Sequence, residues 1–205
     1  MPDSLYRSLV WIALHVAVLF SVGVPLVLLG WAALKREAAL LRLLAIYWKV
    51  ASLLLIADLL LSDRRPIGFV LLVLAPLLVL VSLWFWVDLN EELADLPPWR
   101  PLPLTVRIWR WGVSFWAVIG AALGATALAC MDGARMASPR CAVWLQPPSA
   151  LHQHLKTVFD FVFGGQWTPG VAGFIGYVGL LAYLVGLVQW LLVRLPKLGR
   201  VAGEF

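Results

Sequence analysis

Five long runs of this chain carry almost no charge, and each is long enough to cross a bilayer, which takes about 20 mostly apolar residues as a helix. They fall at roughly 8–34, 41–61, 67–87, 108–130 and 170–193. None alternates polar with apolar residues, as the strands of a membrane β-barrel must. Composition closes off the remaining classes. Apolar residues make up 62% of the 205 and charged residues 13%, against about half and about a quarter in a soluble domain. A soluble fold of this size needs more polar surface, and a disordered chain is far less apolar. The sequence predicts an all-α polytopic membrane protein with about five transmembrane helices, one membrane domain over 1–205.

Arg7 precedes the first run as in a signal peptide, but no small-x-small cleavage site follows, so the run reads as a retained helix. Pro25 and Pro76 lie inside spans and are expected to kink them. Internal repeats, the mark of many transporters, are not visible. Lys plus Arg number 16 against 11 acids. With five spans, nine cations (Lys35, Arg36, Arg42, Arg100, Arg107, Arg110, Arg194, Lys197, Arg200) fall on the C-terminal face and six (Arg7, Arg64, Arg65, Arg135, Arg140, Lys156) on the other. The positive-inside rule then places the C-terminus in the cytoplasm and the N-terminus outside or in a lumen. No basic stripe interleaved with exposed aromatics argues for a nucleic-acid partner; the lipid bilayer is the partner the composition requires.

Two loops carry structure of their own. In DLNEELADLPPWRPLPLTVR (88–107), Asp88, Glu91, Glu92 and Asp95 share a helical face. The spacing predicts a helical extension of the third span, stopped by Pro97–Pro98, with WRPLP extended. Around 149–163 the pattern predicts an interfacial amphipathic helix with Ser149 as N-cap and Gly164–Gly165 at its end. Leu151, Leu155, Val158, Phe159, Val162 and Phe163 form its apolar face; His152, Lys156 and Asp160 form the other. His152 and His154 point about 200° apart on a helix, so they share no metal and read as exposed polar residues. Cys130 and Cys141 either form a disulfide on the outer side or stay unpaired, one buried at a helix end.

Three ionisable residues sit within spans: His15, Lys49 and Asp58. Such residues are costly in lipid and face protein or a cavity. Counting outward from the turns sets His15 level with Asp58, Arg42 with Asp88, and Lys49 near Ser82. A His15–Asp58 hydrogen bond and an Arg42–Asp88 ion pair at the cytoplasmic surface follow. His15 has three readings: a helix-to-helix lock, an axial ligand to chlorophyll or haem, or a proton relay with Asp58. Gly120 and Gly124 form GxxxG in the fourth span, and Gly176, Gly179 and Gly186 line one side of the fifth. These faces permit close approach, and the two spans are expected to pack on each other. Of the 12 tryptophans, Trp84, Trp86, Trp99, Trp109 and Trp111 are expected in a cytoplasmic aromatic belt, and Trp11, Trp144 and Trp167 in an outer one.

IYWKVASLLLIADL (46–59) and SLWFWVDLNEELADLP (82–97) resemble a family of cyanobacterial multi-pass membrane proteins, the domain of unknown function numbered 3177. YRSLVW (6–11), VRIWRWGVSFW (106–116), CAVWL (141–145) and VRLPKLGR (193–200) are similar in kind. The resemblance implies a cyanobacterial origin and a thylakoid or plasma-membrane location, and carries no catalytic residues. Nucleophile elbows, zinc-protease motifs and phosphate loops are missing from the sequence. The reading that results is a non-enzymatic accessory or assembly subunit of a photosynthetic or respiratory membrane complex. The alternatives are a pigment or haem binder through His15, and a small transporter or channel using His15, Lys49 and Asp58.

Overall fold

A computed structural model describes residues 3–162, 164 and 167–202. Seven principal helices account for most of them: α1 (Leu5–Lys35), α2 (Ala38–Ser62), α3 (Ile67–Trp84), α4 (Val87–Asp95), α5 (Pro101–Thr126), α6 (Pro139–Val162) and α7 (Pro169–Leu198). Among the described residues there is no strand. Helices α1, α2, α3, α5 and α7 are long and apolar enough to cross a membrane. The protein is an all-α, multi-pass integral membrane protein. Five crossings put the chain ends on opposite faces.

Helix α2 is the centre. It packs on α1, α3, α6 and α7, and α5 packs against α3 and α1. In their most apolar stretches half of α2 is buried (50%), against 12% of α1 and 22% of α7, so these last two are edge helices. The fourth and fifth spans, expected to pair, are not packed neighbours among the described residues. The segment between them includes α6, which docks on α2 and α1 and lets α7 settle on the far side of α2.

The spans keep their prolines by giving the orphaned carbonyls other partners. A proline lacks the N–H that would bond four residues back. Ahead of Pro25 the helix widens into a π-turn, Leu19–Gly23, with Val24 N–H bonding Leu19 O. Pro25 thus leaves both Ser21 O and Phe20 O without a helical donor. Tyr47 on α2 donates its hydroxyl to Ser21 O at 2.6 Å, and Trp109 on α5 donates Nε1 to Phe20 O at 2.8 Å. Both rings are fully buried and meet edge to face at 4.9 Å. At Pro76 the orphan is Leu72 O. A Cβ on Gly124 would lie 2.9 Å from it, so glycine there lets the α5 backbone rest on that carbonyl.

At the disulfide end, Cys130 and Cys141 are bonded (Cα–Cα 5.6 Å), joining the single turn after α5 to the start of α6. They lie in a buried cluster with Val10, Phe69 and Trp144. Trp144 Nε1 donates to the Tyr6 hydroxyl at 2.8 Å, which contacts Thr126 Oγ1 at 3.0 Å. Helix α6 begins at Pro139, earlier than Ser149, and runs through Pro147–Pro148. Ser149 is therefore inside the helix, donating its hydroxyl to Gln146 O at 2.8 Å, and caps nothing. Leu151, Val158 and Val162 are exposed, as an apolar interfacial face requires. The Leu155 side chain, Phe163 and Gly165 lie outside the described residues. His152 is not freely exposed: it stacks on Trp167 at 5.6 Å, and Phe159 stacks on the same ring at 4.2 Å.

Candidate functional site

The opposite end is organised around an interruption that the sequence reading missed. The third span does not continue into the acidic helix. It stops at Trp84, Trp86 turns to an extended conformation, and α4 starts afresh at Val87. A helix end leaves carbonyls unsatisfied and partially negative, and cations serve them best. Arg110 donates Nη2 to Leu83 O at 2.5 Å and to Asn90 Oδ1 at 2.6 Å, with its guanidinium 4.1 Å from the centre of the Trp84 ring. Asn90 Nδ2 donates to Trp84 O at 3.1 Å. Arg200 donates Nε to Phe85 O at 2.8 Å, and Val87 N–H bonds Arg200 O at 3.0 Å. Arg107 bonds carbonyls at the end of α4 and just past it, Leu93 O at 2.9 Å and Leu96 O at 3.0 Å. Three arginines counted among the cations of one face are thus carbonyl clamps, and Arg110 and Arg200 hold WFWVDLN as a hinge.

This interruption redirects the expected ion pair. Counting along a continuous helix put Asp88 beside Arg42. With the helix restarted, Arg42 pairs with Glu92 instead. Both Asp88 carboxylate oxygens accept the Ala202 N–H at 2.9 Å, tying the chain's final segment to the hinge. WRPLP is not extended throughout either: Arg100 is, but Pro101 opens α5, where its missing N–H costs nothing. The aromatic belt divides in the same way. Trp99 and Trp111 are exposed, while Trp86, Trp109 and Trp144 are buried.

Beside the hinge, α2, α3 and α7 enclose an open groove of about 830 Å³. It exists because α7 touches α2 along only part of its length. A Cβ on Gly173 would collide with Asp63; one on Gly176 would lie 2.9 Å from Leu60 Cγ; one on Gly179 would lie 3.3 Å from Ile56 Cγ1. At Gly186 it would meet nothing within 4 Å. Gly186, Lys49, Ser82, Trp86, Trp190 and Arg194 are among the groove's walls. A second π-turn, Trp190–Arg194, precedes Pro196 here as the first precedes Pro25. Among the described lining residues two are cationic and none is acidic. A smaller apolar cavity of about 120 Å³ lies between α1, α2, α3 and α5, with Gly120, where a Cβ also meets nothing, on its wall.

The three intramembrane ionisable residues do not come together. His15 is exposed on α1; its Nδ1 lies 2.7 Å from Trp11 O and its ring stacks on Trp11 at 5.3 Å. In place of the expected bond to Asp58, His15 makes this contact within one turn of its own helix. Lys49 lines the groove. Asp58, nine residues along α2, is about 13 Å higher and on the opposite side. One polar path through all three is therefore not formed. Gly186 and Arg194 gain meaning only from the groove: one reads as a packing glycine and the other as a loop charge. The nearest sequence signal is Pro196, whose orphaned carbonyls mark a bend in α7.

Such a bundle is a polytopic helical membrane protein with an open groove between membrane-crossing helices, beside a hinge of clamped carbonyls. Residues 7–203 match the family model described as "Protein of unknown function (DUF3177)", and the chain belongs to that family. Comparison with curated proteins and with solved structures gives no match.

Proposed function

We propose that the protein is a non-catalytic accessory or assembly subunit of a larger photosynthetic or respiratory complex, in the thylakoid or plasma membrane of a cyanobacterium. The use of its interior polar groups carries this reading. Tyr47, Trp109 and Arg110 each end on a backbone carbonyl of a neighbouring helix, and Trp84 Nε1 donates to Ser114 Oγ at 2.8 Å. Groups used in this way hold helices in place and do not gather around a substrate. On α5, Ile108, Trp111, Phe115 and Val118 form an exposed apolar ridge suited to lipid or to a partner's helix. The test is gentle detergent isolation from native membranes with mass spectrometry of what accompanies the protein. A stoichiometric photosystem or respiratory partner supports the reading; isolation as a clean monomer overturns it.

In this proposal the N-terminus lies outside or in the lumen and the C-terminus in the cytoplasm. The disulfide, an oxidising-side feature, stands at the N-terminal face, and the nine-to-six cation count points the same way. A C-terminal epitope is expected to resist external protease in intact cells; its digestion reverses the orientation.

One contact favours a second reading, a chlorophyll or haem ligand at His15. With the Nδ1 proton given to Trp11 O, Nε2 keeps its lone pair and the ring stands exposed on an apolar face. Natively purified protein should then show visible absorbance that His15→Ala removes. A colourless preparation eliminates this reading.

A further inference from the structure

We infer that the groove between α2, α3 and α7 binds one neutral para-quinone with an apolar tail. The ring lies across Gly186, and its two carbonyl oxygens accept from the Tyr183 hydroxyl and the Trp190 indole N–H. Such a site stands whether or not the protein serves as an accessory subunit.

Tyr183, Gly186 and Trp190 fall at i, i+3 and i+7 of α7, one stripe of its surface, and all three line the groove. The two rings are the rims of a slot. Gly186, where a Cβ would meet nothing within 4 Å, is the gap between them. Both rims are held in place: Tyr183 packs on the cluster of Leu53, Ile56 and Leu60, and Phe85 and Trp86 meet Trp190 edge to face at 5.7 and 5.8 Å. Among the described residues neither the Tyr183 hydroxyl nor the Trp190 N–H makes a hydrogen bond. Tyr183 stands near the midpoint of Pro169–Leu198, a depth at which lipid offers a polar group no partner. A donor left unpaired away from water is costly, so two on one stripe call for a ligand with acceptors.

Spacing and charge select that ligand. Seven residues of helix set the two donors about 10 Å apart, and long helical side chains lean the same way along the axis. Two hydrogen bonds of about 2.8 Å each leave about 5 Å between the acceptor atoms, the span of carbonyl oxygens on opposite edges of a six-membered ring. A hydrocarbon pigment serves neither donor, and an alcohol or a single ketone serves one. An ionised headgroup is costly at the depth of Tyr183. Lys49 and Arg194 have interaction partners of their own, so the neutral groups set the choice. The groove, about 830 Å³, falls in the roughly 300–1,000 Å³ range of small-molecule sites. Beyond the ring it leaves an apolar course for a tail along Val50, Leu78 and Val81.

The test titrates the full-length, delipidated protein in detergent with two probes. One is a dimethyl-para-benzoquinone carrying a decyl tail; the other is the same ring and tail without the carbonyl oxygens. Bound probe is extracted after gel filtration and quantified. Two net hydrogen bonds should make the quinone bind about thirty-fold more tightly than the hydrocarbon. Tyr183→Phe and Trp190→Phe should each weaken quinone binding about five-fold, and Tyr183→Phe should leave hydrocarbon binding as it was. Gly186→Phe fills the slot from a position with open space and should lower binding of both probes at an unchanged melting temperature. Equal affinity of the unaltered protein for the two probes overturns the inference. Quinone binding undiminished in Gly186→Phe, or in both Tyr183→Phe and Trp190→Phe, overturns it as well.

Discussion

Towards the disulfide end, α7 lies against α2 with glycines at the contact; towards the other end the same two helices part and a groove opens. Gly173 and Gly176 have no room for a Cβ unless a neighbour shifts, at Gly179 one would press on Ile56 at 3.3 Å, and Gly186, on the same side of the helix, has open space. Small residues permit close approach, but the facing helix decides whether approach happens. Where α2 presents Leu60 and Ile56, α7 closes on them. Where α2 presents Lys49, and the Phe85 and Trp86 rings of the hinge stand against Trp190 at 5.7 and 5.8 Å, α7 stays off. Its π-turn before Pro196 lies within that open part. A closed half gives the bundle stability, and the other half is left open as a groove.

The sharpest challenge to this contrast sets Gly176→Leu against Gly186→Leu. Overpacking the closed half should cost about 3 kcal/mol of stability, read as a lower melting temperature in detergent. Gly186→Leu should leave that temperature nearly unchanged. Equal losses would mean that the two halves are not different. The α3–α5 seam provides a second contrast of smaller size. Gly124→Ala pushes a methyl into Leu72 O and should cost about 2 kcal/mol, while Gly120→Ala gains up to about 1 kcal/mol of helix propensity. Destabilisation by both would break the assignment of Gly120 to open space.

Smaller again is Tyr47→Phe, which leaves Ser21 O without its donor beside Pro25. A loss of about 1–2 kcal/mol is expected, read as a lower melting temperature in detergent. The smallest effect concerns the surface at the disulfide end. Lys156 donates to Asp160 at 2.5 Å and holds its carboxyl below the usual carboxylate range, and Trp167 N–H bonds the same group at 3.1 Å. A depressed carboxyl contributes stability at neutral pH that is lost as pH falls through and below that range. The protection factor of the Trp167 amide, exchange corrected for the intrinsic pH dependence, should therefore fall in acid and in Asp160→Asn at neutral pH. Exchange insensitive to both would remove the link.

Much of the architecture was legible because hydropathy is local. Five apolar runs appear as five spanning helices, and Pro25 and Pro76 lie inside them. Placement of partners was less legible. Arg42 finds Glu92 because the helix breaks at Phe85–Trp86, and no local pattern in WFWVDLN announces that break. Arg107, Arg110 and Arg200 read only as cations of one face until the carbonyls they clamp are in view. His15 turns to Trp11 O one turn away, which a count of helix depth does not consider.

By itself the sequence determined that this chain is a multi-pass helical membrane protein, since about 20 apolar residues in a row have only one way to satisfy their backbone in lipid. Only the tertiary structure decided which glycines are contacts and which are space, which arginines are structural, and where the groove lies. Those outcomes depend on how far each helix is rotated and bent against its neighbours. Two π-turns and one broken helix set that rotation, and residue type along the chain does not encode it.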